Sequence, residues 1–243
     1  MAKQQEELSE DEKKRMFKKE LPKMVLLVIL YSFQGLPLGF FLSSVPIIFK
    51  KYLTYSQIGE IMICTMPFSF KVFWSPFVEF YSIESIGKRR SWIIPTQLVM
   101  CAILFYLRSN LEGLLIAQDV SQVSFLLTFL VFVITCQDIA VDSWAVEMLH
   151  PCNATYGSSS QSIGHRIGSF MSTSLFISLN SAEFCGRWIY GTPAEETEPI
   201  LTLDNYIFLW TSFQLMVTVY IALFVPEKDP ELQADLDKKS KTK

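Results

Sequence analysis

Two carboxylates four residues apart follow a long uncharged segment. Residues 120–137 carry no charge, and Asp138 and Asp142 come directly after them. On a helix a spacing of four places both side chains on one face, about one turn apart. Because an ionised side chain is costly in lipid, each carboxylate needs a cationic partner, a proton or a water-filled cavity. We therefore predict that this face looks into a transport pathway.

Two cations lie at similar depth in other apolar segments. Lys71 stands about nine residues from the end of its segment, or about 13 Å at the rise of a helix. It is a candidate for binding an anion or for pairing with Asp138. Arg166 lies at a depth that matches Asp138, so it could bridge Asp138 or Asp142, and its planar guanidinium group suits phosphate equally well. For both cations the alternative is a purely structural ion pair.

Other residues that could do chemistry are scarce. His165 must face another direction than Arg166 on a helix, and a lone histidine is usually satisfied by its neighbours. Two histidines in the chain give no basis for a histidine metal site. We recognise no Ser-His-Asp or Cys-His spacing either. The prediction is a protein without a metal or cofactor that is not an enzyme.

The first apolar segment is interrupted by Gln-Gly-Leu-Pro-Leu-Gly at residues 34–39. Proline lacks a backbone donor and clashes with the preceding turn, so we predict a helix break at Gly35, Pro37 and Gly39. Transporters line binding sites with unwound segments of this kind, which would place Gln34 in the pathway. The alternative is close packing, because Gly35 and Gly39 form a G-x-x-x-G pair.

The composition favours a membrane protein. Half of the 243 residues are hydrophobic and the mean hydropathy is +0.30, which is too apolar for a soluble domain with one core. The small net charge of -3 argues against a nucleic-acid partner. We predict an all-α membrane protein in which a charged tail (1–23) precedes a six-helix transmembrane bundle (24–225) and a Lys-rich tail (226–243) follows it. The predicted spans are about 24–49, 58–80, 91–107, 123–148, 155–179 and 205–226.

The distribution of positive charge predicts the orientation. Six spans place both tails on one side of the membrane, and lysine and arginine are concentrated in the tails and in the loop at 81–91. By the positive-inside rule both termini and this loop are cytosolic. The glycosylation sequon that begins at Asn153 would then be cytosolic, so we interpret it as a chance match.

Six ordered motifs resemble the acetyl-coenzyme A transporters of the endoplasmic reticulum membrane. This family belongs to the major facilitator superfamily and has bacterial muropeptide permeases as distant relatives. The motifs occupy residues 34–39, 68–79, 87–97, 137–144, 156–157 and 181–185. The resemblance covers nearly all of 24–225 and corresponds to the N-terminal half of the family's fold. It implies transport of acetyl-CoA, or a related anionic CoA compound, from the cytosol into the lumen.

The resemblance also implies that this sequence contains one wall of the binding site. In such folds the substrate binds between two halves, so the second wall would come from a homodimer or from a missing C-terminal half. The alternative is a truncated, non-transporting membrane protein with a regulatory or partner-binding role.

The resemblance also implies a conformational switch. Its residues are Glu79, Gly87, Lys88, Arg89 and Arg90. They resemble a loop of the superfamily in which acidic and basic residues form a network where the two halves meet. Opposite charges at a moving interface can favour one of two conformations. Anchoring by the positive-inside rule is the alternative for the three cations.

Overall fold

Every regular element that the structure describes is a helix. The structure, a computed structural model, describes residues 10–81, 87–193 and 196–225, with side chains from residue 14 onward. The predicted Lys-rich tail (226–243) lies outside the described residues, as do residues 1–9 of the charged tail.

The first span is one long rod with a π-helical turn near its end. Its parts are α1 (Glu10–Gly39), the π-helical turn (Phe40–Ser44) and α2 (Val45–Phe49). The break predicted at Gly35, Pro37 and Gly39 is not present, because the backbone stays helical through Gly39. Pro37 removes one backbone donor, and the departure from α-helical geometry follows it in the wider turn.

The glycines of α1 lie against the backbone of α8 (Thr155–Phe170). A Cβ on Gly35 would lie 2.8 Å from the Cα of His165, and a Cβ on Gly39 would lie 2.7 Å from the Cα of Ser169. Only a residue without a side chain allows this approach. These contacts agree with the alternative in which Gly35 and Gly39 allow close helix packing. They also bring His165 next to α1.

The second span bends just before Lys71. It consists of α3 (Tyr55–Met62), a short 3-10 turn, α4 (Met66–Ser69) and α5 (Lys71–Phe80), which leaves at an angle of 47°. Phe70 stands at the bend with φ −98° and ψ 20°. Lys71 is therefore the first residue of a new helix segment, where its side chain can turn into the bundle.

Three long helices complete the core. They are α6 (Arg90–Ile116), α7 (Val120–Met148) and α11 (Leu203–Phe224). α7 is the central helix: it contacts the first span, the second span, α6 and α8, while α11 packs on α6. Trp144 of α7 is completely buried.

α6 is longer than the span predicted at 91–107 because its internal charge is compensated. Arg108 donates two hydrogen bonds to the Asp204 carboxylate, at 2.9 and 3.1 Å, and its guanidinium group lies over the ring of Phe208. A paired arginine near a helix end does not terminate the span.

α8 continues through a second π-helical turn. The elements that follow it are the π-helical turn (Met171–Leu175), α9 (Phe176–Asn180), α10 (Ala182–Cys185) and a third π-helical turn (Gly186–Tyr190). Ser44 Oγ donates to the Ser172 carbonyl at 2.7 Å, and Ser172 Oγ donates to the Leu36 carbonyl at 2.6 Å. The π-helical turn of the first span therefore packs against the π-helical turn that follows α8.

Within the described ranges, four helices are long and apolar enough to cross a membrane, or five if the bent second span counts as one. The four are Lys14–Phe49, Arg90–Ile116, Val120–Met148 and Leu203–Phe224. The predicted number of six is not confirmed, because the segment predicted at 155–179 is rich in serine and glycine. The fold is that of a helical, multi-pass membrane protein.

The described part of the predicted tail at 1–23 is helical and docks on the bundle. Glu20 is 5% exposed. It accepts hydrogen bonds from the His150 N–H at 2.8 Å and from Asn153 Nδ2 at 2.5 Å. The prediction missed this contact because an acidic residue in a charged segment usually faces solvent. The Asn153 amide is buried and bonded to Glu20.

Candidate functional site

Four helices bring polar side chains together in the interior of the bundle. α1, α5, α7 and α8 meet around Lys71, and we call the group the Lys71 cluster. Its members are Tyr31, Gln34, Lys71, Asp138, Asp142, Gln161 and His165. Asp138 lies about ten residues, or about 15 Å, from the end of α7. If the hydrocarbon core of about 30 Å begins at this end of α7, Asp138 lies near its middle.

Lys71 bridges the two carboxylates. Its Nζ lies 3.0 Å from Asp138 Oδ2 and 3.2 Å from Asp142 Oδ2. The pairing with Asp138 that the sequence suggested is present, and the spacing of four residues allows one ammonium group to reach both acids. One ammonium group is thus shared by two carboxylates.

Asp142 is also held by neutral groups. Tyr31 Oη donates a hydrogen bond to Asp142 Oδ1 at 2.9 Å, and Gln161 Nε2 donates to the same oxygen at 2.7 Å. Both oxygens of this carboxylate are therefore bonded, one to Lys71 and one to α1 and α8.

Asp138 has a different environment. Its side chain is completely buried, and its Oδ1 has no hydrogen-bond partner among the described residues. His165 Nε2 is 3.9 Å from that oxygen and 3.3 Å from Gln34 Oε1. This arrangement leaves a protonatable ring directly beside an unsatisfied carboxylate oxygen.

The Lys71 cluster is closed on one side and open on the other. Asp138 is buried, whereas the side chains of Lys71 and Asp142 are 36% and 35% exposed. Charged groups at this depth do not face lipid. The open side therefore faces water or another part of the assembly, and Lys71 is accessible from that side.

Arg166 does not join this cluster. It is exposed and forms no ion pair within the part of the chain that the structure describes, so the predicted bridge to Asp138 or Asp142 is absent. The glycine face of α8 packs against α1 and sets the rotation of the helix. His165 then points toward Asp138, and Arg166 lies about 100° further round.

Sequence reasoning missed three members of the cluster. Tyr31 and Gln161 carry no charge and do not stand out in a helix, and His165 was assigned a local role. A signal was available in the spacing. Tyr31 precedes Gln34 by three residues and Gln161 precedes His165 by four, so each pair shares one helix face.

A second group of charges lies where α5, α6 and α7 meet, at the end of the bundle that contains Glu79. We call this group the Arg89 network. Its members are Glu79, Lys88, Arg89, Ser143 and Glu147. Arg89 Nη1 donates to Glu79 Oε1 at 2.9 Å, and its Nη2 and Nε donate to the Glu147 carboxylate at 2.6 and 3.1 Å. Lys88 Nζ lies 3.4 Å from Glu79 Oε2, and Ser143 Oγ also donates to Glu79.

Arg89 is the centre of this network, and its side chain is 6% exposed. Burial by itself lowers the pKa of Arg89, but hydrogen bonds and attraction from Glu147 and Glu79 outweigh burial, so its pKa is raised above the ordinary value. Glu147 was not predicted as a member, because its contact depends on the end of α7 lying beside the loop.

The other predicted residues of this loop have separate contacts. Gly87 adopts a φ of 109°, a left-handed conformation that favours glycine. Arg90 Nη2 donates to the Ala222 carbonyl at 2.5 Å and so joins α6 to α11. Residues 82–86 lie outside the described part of the chain.

These features define a class of protein. A multi-pass helical bundle with charged residues at mid-membrane, open on one side, has the construction of a membrane transport protein. The chain belongs to the family described as "Acatn: Acetyl-coenzyme A transporter 1", whose model matches residues 23–243.

Similar proteins include two from fungi and a bacterial permease. The chain is 31% identical over 217 residues to an uncharacterized protein of Schizosaccharomyces pombe, covering 88% of this chain and 41% of that protein. It is 33% identical over 233 residues to an uncharacterized membrane protein of Saccharomyces cerevisiae, covering 87% and 41%. It is also 25% identical over 155 residues to the anhydromuropeptide permease of Escherichia coli K12, covering 63% and 31%. The chain thus spans about two fifths of the length of the fungal relatives.

Proposed function

We propose that this chain forms one half of a transporter that carries acetyl-CoA, or a related anionic CoA compound, from the cytosol into the lumen of the endoplasmic reticulum. The proposed fold is a six-span half of the major facilitator type with both termini in the cytosol. The observation that carries the proposal is a mid-membrane lysine whose ammonium group is open to one side, in a chain of the acetyl-CoA transporter family.

The negative charge of the proposed cargo matches the cationic residues of the site. The phosphates of CoA need cations, and Lys71 presents one at mid-membrane. Arg166 is exposed on α8, and its guanidinium fork suits phosphate. We assign these two residues to the cargo and Asp138 and Asp142 to holding Lys71 in position. Gln34 is buried behind this region and supports it through its contact with His165.

The open side of the cluster is where the second half belongs. The fungal relatives are more than twice the length of the region that this chain matches. In this proposal the remaining wall comes from further helices, a partner chain or a second copy. The polar face of α8, which includes exposed Ser162 and Arg166, would line the cavity between the two walls.

The Arg89 network is the proposed conformational switch. Its bonds join the end of α5 to α6 and α7, so its rearrangement would accompany movement of the second half. This role extends the predicted switch function of Glu79, Gly87, Lys88, Arg89 and Arg90. Arg90, which follows Arg89 in the chain, connects this end of α6 to α11.

Uptake into vesicles tests the proposal. We would reconstitute the full chain alone, and together with the C-terminal part of the Saccharomyces cerevisiae relative, and measure uptake of radiolabelled acetyl-CoA. We expect time-dependent uptake with the second half present, and competition by unlabelled CoA but not by acetate. Absence of uptake in both preparations, with the chain correctly folded, would contradict the proposal and favour a non-transporting role.

Lys51→Ala is the matched control for Lys71→Ala, which should reduce uptake. Lys51 is exposed beyond the end of the first span, so Lys51→Ala removes a positive charge outside the cluster and should transport normally. Cross-linking offers a separate test of the second wall. Ser162→Cys should be cross-linked to a second half or copy, whereas Leu223→Cys, exposed on α11, should not.

A further inference from the structure

The charges that contact one another in the Lys71 cluster do not balance. Lys71 contributes one positive charge, and Asp138 and Asp142 contribute two negative charges. With both acids ionised, the group has a net charge of minus one at mid-membrane. Such a charge is unfavourable without water or a counter-ion, so the cluster has a place for one further positive charge.

The neighbouring helices offer one candidate for this charge. α1 contributes the neutral Tyr31 and Gln34, and α5 contributes Lys71, which is already shared. α8 contributes His165, whose Nε2 is 3.9 Å from Asp138 Oδ1. Arg166 of the same helix is exposed and forms no ion pair among the described residues.

The cations nearer the end of the bundle that contains Glu79 contact groups other than Asp138. Arg89 is bonded to Glu79 and Glu147, and Lys88 lies against Glu79. Lys23 of α1 donates to the Met148 carbonyl at 3.1 Å. None of these contacts supplies a positive charge to Asp138.

We propose that Asp138 and His165 form an exchangeable proton site, and that a proton bound there allows Lys71 to bind an anionic group of the cargo. The inference rests on the proposed transport function and adds that anion movement is coupled to a proton. The proton comes from water and is shared between Asp138 Oδ1 and His165 Nε2. When it is on the ring, the Nε2–H group is directed at both Asp138 Oδ1 and Gln34 Oε1. No covalent bond other than the one to this proton forms or breaks.

The geometry explains why proton and anion cooperate. Without the proton, two carboxylates surround the Lys71 ammonium and repel an approaching anion. With the proton, the cluster is neutral, and the anion reaches Lys71 from the open side, where Lys71 and Asp142 are about one-third exposed. The proton site lies behind them at the buried Asp138. The two ligands therefore occupy different positions and each favours the other.

A proton titration tests the site without requiring transport. Infrared difference spectra of the full chain in lipid vesicles would be recorded from neutral to acidic pH. We expect carboxylic-acid or imidazolium bands that disappear in Asp138→Asn, and a titration midpoint displaced toward acid in His165→Gln. Asp119→Asn is the matched control, because Asp119 caps α7 through the Gln122 N–H and asparagine retains that cap. Identical titrations of the native chain and Asp138→Asn would overturn the proposal.

The coupling is tested with coenzyme A as the probe. If a bound proton raises the affinity for the anion tenfold, saturating CoA must move the titration midpoint about one pH unit toward neutral, since linkage is reciprocal. This displacement should be lost in the charge-balanced variant Lys71→Gln/Asp142→Asn, which retains Asp138 and His165. An unchanged midpoint with CoA bound, or a midpoint that responds to sodium instead, would overturn the coupling.

Uptake measurements separate this inference from the proposed function. With the membrane potential clamped, each unit of an acid-outside pH gradient should raise acetyl-CoA accumulation about tenfold for one-to-one coupling. Uptake that ignores the gradient would overturn the inference and leave the proposed function intact. A normal Asp138 titration that responds to CoA, without uptake even when the second half is present, would support the proton site and contradict the proposed transport function.

Discussion

Lys71 holds two carboxylates with one ammonium group, and the two ion pairs lie in different surroundings. Asp138 is fully buried, whereas Asp142 is about one-third exposed and has two neutral donors. A buried carboxylate that loses its cation is left with an uncompensated charge. The bond between Lys71 and Asp138 is therefore the more important one for stability.

Removing Lys71 should destabilise the protein. We expect Lys71→Ala to cost on the order of 3 kcal/mol, because Asp138 remains buried and unpaired. Lys71→Ala/Asp138→Ala should recover part of this loss, since neither charge remains. Thermal unfolding in detergent measures the effect, with Lys51→Ala as the control. Equal melting temperatures for Lys71→Ala and Lys51→Ala would show that the ion pair does not stabilise the fold.

Part of the cluster could be predicted from the sequence, and the physical reason is charge. Lys71, Asp138 and Asp142 stand out because ionised residues are rare in apolar segments. The choice between His165 and Arg166 could not be made, because it depends on the rotation of α8 against α1, and their packing sets that rotation.

At the scale of elements, the crossing of α1 and α8 positions half of the cluster. A Cβ on Gly164 would lie 2.6 Å from the Cβ of Tyr31 and 2.7 Å from the Val28 carbonyl oxygen. Tyr31 is a donor to Asp142. Gly164 therefore allows the close packing of α8 on α1, and this packing positions Tyr31 beside Asp142.

Two Gly→Ala substitutions should have opposite effects. Gly164→Ala should destabilise the protein by about 1–3 kcal/mol, because the helices must separate. Gly113 lies inside α6, and a Cβ at this position would have no other atom within 4 Å, so Gly113→Ala should stabilise the helix by up to about 1 kcal/mol. Thermal unfolding of both variants is the measurement. Similar losses in both would contradict the close contact at Gly164.

The Arg89 network predicts a second contrast. Arg89 is 6% exposed with three charged hydrogen bonds, whereas Lys88 is 45% exposed with one contact at 3.4 Å. Arg89→Gln should lower the stability by about 1.5–3 kcal/mol, because it removes three hydrogen bonds between charged groups and leaves Glu147 without its cation. Lys88→Gln should change it by less than about 1 kcal/mol. Melting temperatures of the two variants decide the matter, and a larger loss for Lys88→Gln would be incompatible with the network.

The helices themselves were largely predictable, because long uncharged segments indicate spans. Their ends and irregularities were not. α6 extends past Arg108 because Asp204, nearly a hundred positions later in the chain, neutralises it. The helix continues through Pro37, and the π-helical turns of the first and fifth segments meet through Ser172. These features depend on contacts between distant segments.

At the scale of the whole molecule, the Lys71 cluster is open on one side, and in the proposed function this side faces the second wall. The chain spans 41% of each fungal relative. A cation at the centre of one half, facing the other, is the arrangement that an alternating pathway needs for an anionic cargo. In the proposed function, Lys71 binds this cargo.

Uptake of radiolabelled acetyl-CoA by charge-balanced variants tests that claim most directly. Lys71→Gln/Asp142→Asn keeps the net charge of the cluster unchanged and retains Asp138 and His165, so a loss of uptake reports on Lys71. With the second half present and the fold verified by thermal unfolding, we expect its uptake to fall about ten- to hundredfold, as for a lost hydrogen bond to a charged group. Lys71→Arg should retain part of the activity. Native rates of uptake in the folded double variant would contradict the assignment of Lys71 to the cargo.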